Sequence, residues 1–363
     1  MIFNCKSANL FLNAYLGLQS AEAVYLGNIG SAHLALGKPH EATENYLQTI
    51  EINRQLQEFE GLGEDLGNLG IAYAILGELK QAIQYYEESL EIQVRVGSLK
   101  GESAALGNLG LAYAALGNPQ KAIEYYDKAL LIDQKLKDWH NLSITAGNLG
   151  NAYFLLGDYE RAIKYNTKQL LSARRIGDRQ GEANALGSLG LAYTSLERYE
   201  EAKEYHHQHL ALAKTIGDRR GEAQALANLG TVYGYLDEIT RMFEVVQEAL
   251  QIAQEIGDRR CEANAMGVIA HGHEKKNDLE AAVRFYHKKL EILSAVGDIR
   301  EVGHTLFALG KTLYRMNQYT QALSLAERAL HLALKSQSPY SHVIQDTLDG
   351  WRASITTTFK NEL

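Results

Sequence analysis

The sequence contains few residues that interrupt helices or cross-link chains. Of its 363 residues, only 3 are proline and 2 are cysteine. Proline lacks a backbone N–H and is excluded from helix interiors, so its near absence is typical of a chain built from helices. The two cysteines, Cys5 and Cys261, are too far apart in sequence to form a metal or redox motif, which fits a reducing compartment.

Long apolar runs and an excess of positive charge are also missing. No apolar stretch reaches the roughly 18 residues that a membrane-spanning helix needs, and the first residues lack the features of a secretory signal. The formal net charge of -8 disfavours binding to nucleic acid or to anionic lipid. We therefore expect a cytoplasmic protein with no nucleic-acid and no membrane partner.

An internal repeat of 40 residues dominates the sequence. A block of the Gly-Asn-Leu-Gly type recurs eight times without insertion or deletion. The blocks begin at Gly27, Gly67, Gly107, Gly147, Gly187, Ala227, Gly267 and Phe307. So strict a period leaves no room for a separate domain, and residues 19–338 are predicted to form eight repeat units in one superhelix.

Each unit has the pattern of two helices joined by short turns. In the fourth unit, apolar residues at three-to-four spacing precede and follow a turn at Gly157, and the second helix stops at Gly177-Asp178. Glycine supplies a left-handed C-cap and aspartate can cap the next helix. One such hairpin cannot bury its apolar faces alone, so neighbours must stack. The predicted fold is all-α, a right-handed α-solenoid of stacked antiparallel helix pairs.

Both ends of the chain keep the repeat register. Residues 1–18 align with second helices of the repeats, and we expect them to form the second helix of an incomplete N-terminal repeat. Gly350 lies 40 residues after Gly310, so residues 339–363 are predicted to form a C-terminal capping helix and tail. This N-terminal helix would lack the first helix of its own repeat. A second copy of the chain that packs on it is therefore one alternative for the partner.

The motif Leu149-Gly150-x-x-Tyr153, followed by Ala162 and Tyr165, resembles the tetratricopeptide repeat (TPR). The 40-residue period is longer than the common form and is similar to the long repeats of the Pins-type spindle-orientation adaptors and of bacterial, particularly cyanobacterial, arrays. The resemblance implies a superhelix of helix pairs in which small residues lie at helix contacts and aromatics fill the hairpin core. It also implies a binding scaffold without cofactors.

First helices are expected to line a concave groove, where four positions spaced four, three and four residues apart share one stripe. The second position forms a ladder of polar side chains: Asn28, Asn68, Asn108, Asn148, Ser188 and Asn228. An asparagine amide both donates and accepts, so a ladder can hold an extended peptide backbone, and the resemblance implies peptide binding at this position. Two alternatives are open: bonds to the backbone of a neighbouring helix, or recent copying of the repeats.

The other stripe positions change character along the chain. They are mostly apolar in units two to five, for example Ile75 and Leu155. Uncharged polar residues follow, then basic ones. The candidate groove residues outside the ladder are Asn151, Asn184, Gln224, Asn264, Lys275, Lys311 and Arg315. This gradient predicts a peptide partner with apolar anchors and an acidic end that faces units seven and eight.

Units six and seven depart from the pattern. Met242 and Phe243 replace small residues, and Gly272 and His273 stand where other units have alanine and tyrosine. Local looseness or a kink is one interpretation, and a functional hinge is the other.

Catalytic and metal-binding patterns are weak. His206 and His209 lie one helical turn apart, but His206 has the register of core tyrosines, which favours a structural role over a metal site. The run Asp218-Arg219 with Glu222 recurs at inter-repeat turns and therefore reads as a helix cap with an ion pair. We expect a non-enzymatic protein-interaction scaffold that binds a partner peptide or segment. The alternative is a regulatory or sensor module that binds a signalling peptide or effector domain and changes superhelix curvature.

Overall fold

A computed structural model describes residues 2–336, 338 and 340–361, with side chains described for residues 15–336, 338 and 340–354. Within these ranges the chain forms seventeen α-helices and no β-strand. The helices are α1 (Ile2–Ala35), α2 (Pro39–Leu56), α3 (Phe59–Ile75), α4 (Leu79–Val96), α5 (Leu99–Ala115), α6 (Pro119–Leu136), α7 (Trp139–Leu155), α8 (Tyr159–Ile176), α9 (Arg179–Ser195), α10 (Tyr199–Ile216), α11 (Arg219–Tyr235), α12 (Ile239–Glu255), α13 (Arg259–Lys275), α14 (Leu279–Val296), α15 (Ile299–Arg315), α16 (Tyr319–Lys335) and α17 (Ser341–Asn361). Among the described helices, none combines the length and apolar character that a membrane crossing requires.

The helices form stacked antiparallel hairpins, which confirms the predicted all-α repeat fold. The chain divides into two compact units, one ending at Gly177 and the other beginning at Asp178. In the first unit each helix packs on the next, and α3 also contacts α5, as α5 contacts α7. In the second unit α11 contacts both α9 and α13 in the same way.

Several hairpins close on a glycine that faces a large side chain. Leu109 of α5 is fully buried, and its neighbour Gly110 packs against the ring of Tyr126 in α6. A methyl group added at Gly110 would lie 2.4 Å from that ring. The glycine therefore allows the two helices to approach closely, as the small residues of the repeat pattern predict.

The predicted caps are confirmed at the inter-repeat turns. The Asp218 side chain accepts a hydrogen bond from the backbone N–H of Gly221, at 2.8 Å, at the start of α11. Arg219 donates to Glu222 at 2.6 Å, which is the ion pair expected from the recurring run. Gly217 ends α10 with φ at 72°, a left-handed conformation that glycine adopts without steric cost.

The N-terminal segment differs from the expected separate helix over residues 1–18. Residue 1 lies outside the described residues, and from Ile2 the chain continues as a single helix of 34 residues to Ala35. Leu18, inside this helix, has the register of the capping residues Asp138 and Asp178. Leucine has no side-chain oxygen to cap a new helix, so no side chain at that position favours a break.

The C-terminal segment contains α17 (Ser341–Asn361), while residues 339, 362 and 363 of the predicted 339–363 segment lie outside the described residues. Ile344 and Leu348 of α17 are buried in a cluster with Ala326 and Ala329 of α16. The apolar end of the second unit is therefore covered by α17.

The unusual residues of units six and seven compensate for one another. Met242 is fully buried, and a methyl group added at Gly272 would lie 2.5 Å from its Cε atom. Phe243 makes an edge contact with His273, and His273 stacks on Phe285 at a centroid distance of 5.4 Å. Large residues of unit six occupy the space that the glycine leaves in unit seven, so this packing offers no support for local looseness.

Candidate peptide-binding face

The predicted stripe faces solvent within each unit. Ile75, Leu111, Ile144 and Leu155 are between 47% and 59% exposed, although they are large and apolar. Their helix neighbours Leu109 and Leu149 are fully buried. The first-helix stripe therefore exposes apolar side chains on helices whose opposite sides form the core.

Most ladder side chains are more buried than the side chains at most neighbouring stripe positions. Asn28 is exposed, whereas the later ladder residues are half-buried: Asn68, Asn108, Asn148, Ser188 and Asn228. Their side chains make no hydrogen bond to any residue that the structure describes. One alternative was that these amides bond the backbone of a neighbouring helix. No such bond is present among the described residues.

Uncharged polar residues flank the ladder in the second unit. In the first unit Asn151 does the same. Asn184, Gln224 and Asn264 are exposed on α9, α11 and α13. The Asn184 side chain accepts a hydrogen bond from Gln180 at 3.4 Å. The ladder is interrupted on α13, where Val268 takes the position of the amide.

The three predicted basic residues are exposed at or near helix ends. Lys275 ends α13 and Arg315 ends α15. Arg315 donates to the Asn277 side chain at 3.4 Å, and the Lys311 ammonium lies 5.1 Å from the centroid of the Phe307 ring.

One cavity of the first unit, of about 350 Å³, lies between α1 and α3 and brings together two ladder residues, Asn28 and Asn68. Asp65 also lines this cavity and accepts a hydrogen bond from Asn53 at 2.8 Å. Burial raises the pKa of Asp65 to about 7, with the nearby Glu64 acting in the same direction. Our reading of the sequence missed Asp65. The available signal was an acidic residue at a position that is alanine in four of the eight repeats.

One cavity of the second unit, also of about 350 Å³, brings together Asn228 of α11 and Asn264 of α13. His271 and His304 contribute to its walls, and Lys289 enters from the second helix α14. Lys289 was missed because second helices were not expected to reach this face. We call this cavity the Lys289 pocket.

His206 of α10 occupies the hairpin core, as its register predicts. His206 is fully buried against Gly190, and neither of its ring nitrogens has a hydrogen-bond partner among the described residues. Burial lowers the pKa of His206 to about 3, helped by His209. The described residues include no group of three or more histidine, cysteine, aspartate or glutamate side chains arranged to hold a metal ion.

Three solved structures show the same fold. The apo form of the quorum sensor NprR from B. thuringiensis superposes with a TM-score of 0.68 at 14% identity, covering 91% of this chain and 94% of that one. The apo form of RapI has a TM-score of 0.63 at 14% identity, with coverages of 76% and 99%. Aspartyl phosphate phosphatase F from Bacillus subtilis has a TM-score of 0.63 at 16% identity, with coverages of 79% and 75%.

No curated protein matches the sequence. Two sequence profiles, both described as tetratricopeptide repeat, match more than half of the chain. The matched residues are 20–94, 101–170, 142–215, 181–241 and 305–340. These matches support the broader part of the resemblance, while the likeness to Pins-type and cyanobacterial arrays stays a prediction. The chain belongs to the tetratricopeptide repeat family.

Proposed function

We propose that this TPR chain is a non-enzymatic protein-interaction scaffold that binds an extended peptide or segment of a partner on its first-helix face. The observation that carries the proposal is the ladder. Asn68, Asn108 and Asn148 share one register, are half-buried, and have amides without a hydrogen-bond partner among the described residues. A polar group in such a place is satisfied by water or by a ligand.

The chemistry of an amide suits a peptide backbone. Each asparagine side chain offers N–H donors and a carbonyl acceptor, which match the two polar groups of a peptide unit. Amides repeated at a constant period would hold an extended segment with little regard to its side chains. The exposed apolar residues beside the ladder, such as Leu111 and Ile144, would then select apolar anchors.

The basic residues of the second unit favour a partner with an acidic end. Lys275, Lys311 and Arg315 are exposed on the same type of helix as the ladder. Carboxylates of the partner would be attracted to them, mainly through the rate of encounter and through orientation rather than through affinity. Cytoplasmic location is part of this proposal.

The test compares partner recovery by three forms of the full chain in a lysate of the source cells. The first is the unaltered protein and the second carries Asn68→Ala, Asn108→Ala and Asn148→Ala. The third carries Gln48→Ala, Gln84→Ala and Gln134→Ala, which remove exposed amides from second helices. Circular dichroism establishes that all three forms are equally folded.

We expect a partner that is recovered by the unaltered protein and by the glutamine variant, and is at least tenfold depleted with the asparagine variant. Loss of three amide contacts is enough for such a change. Equal recovery by all three forms would contradict a binding role for the ladder and would leave its uniformity to repeat copying.

A regulatory or sensor module is the second candidate function, favoured by the likeness to the quorum sensor NprR over most of both chains. In this reading the bound segment is a signal, and binding changes the curvature of the solenoid. A change in the radius of gyration of the chain when it binds its partner, measured by small-angle X-ray scattering, distinguishes this reading from a static scaffold.

A further inference from the structure

Lys289 carries a positive charge at a position where no other repeat has a lysine or arginine. The same register holds Thr49, Ser89, Ala129, Gln169, His209, Ala249 and Ala329 in the other repeats. The Lys289 side chain is only 13% exposed although it belongs to a long charged residue. It lines the Lys289 pocket together with residues of α11, α13 and α15.

Gly267 makes room for this ammonium group. A methyl group added at Gly267 would lie 3.1 Å from the Lys289 Nζ atom, closer than ordinary van der Waals contact. The lysine stem therefore passes from the second helix α14 to the edge of the first helix α13 at a glycine. The ammonium is placed on the pocket wall by packing rather than left as a mobile surface charge.

The Lys289 ammonium group is hydrogen-bonded to the carboxylate of Glu301. The Lys289 Nζ atom donates to Glu301 at 3.3 Å. His304 Nδ1 lies 3.4 Å from the other oxygen of the same carboxylate. The hydrogen bond with His304, and secondarily the charge of Lys289, lower the pKa of Glu301 to about 2, so Glu301 stays ionised. An ammonium has three N–H donors, and Glu301 is the hydrogen-bond acceptor that the described residues provide.

The remaining wall of the pocket offers neutral polar groups and no acidic side chain among the described residues. Asn228 and Asn264 contribute amides, and Thr231 and Thr305 contribute hydroxyls. The cavity of the first unit has the opposite character, because Glu58, Glu64 and Asp65 line it. In a chain whose net charge is -8, this lining is a local exception. The two nearby carboxylates are already engaged: Glu301 bonds Lys289 and His304, and Glu274 bonds His271, Tyr286 and Thr312.

We infer that the Lys289 pocket binds the carboxylate of an aspartate or glutamate side chain within the partner segment. This inference deepens the proposed function and rests on it. The carboxylate accepts from Lys289, and the amides of Asn228 and Asn264 bond the peptide groups beside it. A charge-assisted hydrogen bond in a partly desolvated site is stronger than one between neutral groups, so the pocket recognises the charge itself.

The experiment titrates the full chain, labelled with 15N, with two blocked pentapeptides: acetyl-Leu-Ala-Glu-Ala-Leu-amide and the same peptide with glutamine at the centre. Backbone resonances of Gly267, Val268 and Thr305 report on the pocket. Side-chain amide resonances of Asn68, Asn108 and Asn148 report on the ladder in the same spectra. Sodium acetate, titrated separately, tests whether a free carboxylate suffices.

We expect the glutamate peptide to shift the pocket resonances with a Kd about tenfold lower than that of the glutamine peptide. The variant Lys289→Gln should bring this ratio close to one. Gly267→Ala keeps the charge but crowds the ammonium, and should reduce the ratio. The matched control Lys288→Gln removes the neighbouring exposed charge, whose ammonium lies 5.3 Å from the Phe285 ring centroid, and should preserve the ratio.

Equal Kd values for the two peptides, a tenfold ratio that survives in Lys289→Gln, or unshifted pocket resonances would each overturn the pocket assignment. Acetate that binds as tightly as the glutamate peptide would overturn recognition of a peptide side chain in favour of a small free carboxylate. The ladder resonances separate these failures from a failure of the proposed function, because peptide binding to the ladder shifts them whatever occurs at Lys289.

Discussion

At the scale of single residues, one core position holds very different side chains in successive repeats. Tyr46, Tyr86 and Tyr126 fill it in three hairpins of the first unit, each against a glycine of the preceding helix, and Asn166 fills it in the fourth. His206 occupies the same register in the second unit, where both of its ring nitrogens lack partners among the described residues. Burying a polar ring without hydrogen bonds costs free energy, so His206 is a weak point of the hairpin core.

This weak point predicts a pH dependence of stability. The pKa of His206 is about 3 in the folded chain, because of burial, against an ordinary 6.5. Between these values the unfolded chain binds a proton that the folded chain does not, so the free energy of unfolding falls as the pH falls. From pH 7.5 to 5 we expect His206→Tyr to lose about 2 kcal/mol less than the unaltered chain in urea unfolding.

The control for this prediction is His331→Tyr, which replaces an exposed histidine on α16. It should lose as much free energy of unfolding as the unaltered chain over the same pH range. Parallel losses for His206→Tyr and the unaltered chain would show that the proton is bound equally in both states.

At the scale of the helix hairpin, the two glycines of one repeat block have different roles. Gly110 of α5 packs against Tyr126 of α6, whereas a methyl group added at Gly107 would meet nothing within 4 Å. The sequence shows the two glycines as equal members of one motif. The structure separates a glycine that a close helix contact requires from one that only lowers helix propensity.

We therefore expect opposite effects from two alanine substitutions in the same helix. Gly110→Ala should lower the free energy of unfolding by about 1–3 kcal/mol, because the methyl group would displace the Tyr126 ring or the helix. Gly107→Ala should raise it by up to about 1 kcal/mol, because alanine favours the helix interior and finds open space. Urea unfolding followed by circular dichroism measures both, and a loss at Gly107 comparable to that at Gly110 would contradict this assignment.

At the scale of the whole molecule, contacts are local in sequence. The chain divides into two compact units at Gly177 and Asp178, and within each unit helices pack on the next helix and, in several cases, on the next but one. The repeat pattern predicts eight units in one superhelix over residues 19–338, and this stays a prediction. Its Gly-Asp stop at residues 177–178 is the same as the stop at residues 217–218, so the pattern carries no sign of the division.

Each unit contains one of the two tryptophans, and this allows the units to be followed separately. Trp139 lies in α7 under the guanidinium of Arg175, and Trp351 lies in α17 stacked on Tyr314 at 4.4 Å. In a repeat array stability is set by neighbouring repeats. We expect Gly110→Ala to lower the urea midpoint reported by Trp139 fluorescence more than the midpoint reported by Trp351.

Single-tryptophan chains, made with Trp351→Phe or Trp139→Phe, separate the two signals. Equal shifts of both midpoints would mean that the chain unfolds as one cooperative body, in conflict with a nearest-neighbour description.

Helices, turns, caps and family followed from the sequence because each rests on local physics repeated every 40 residues: apolar spacing, a left-handed glycine, a capping aspartate. The solvent-facing stripe followed from the same periodicity. Register alone could not reveal that Lys289 reaches the first-helix face beside Gly267 or that Asp65 is buried. Nor could it reveal that His206 finds no hydrogen-bond partner in the described part of the chain. These properties depend on distances between side chains of different helices, and only the packing of the hairpins decides them.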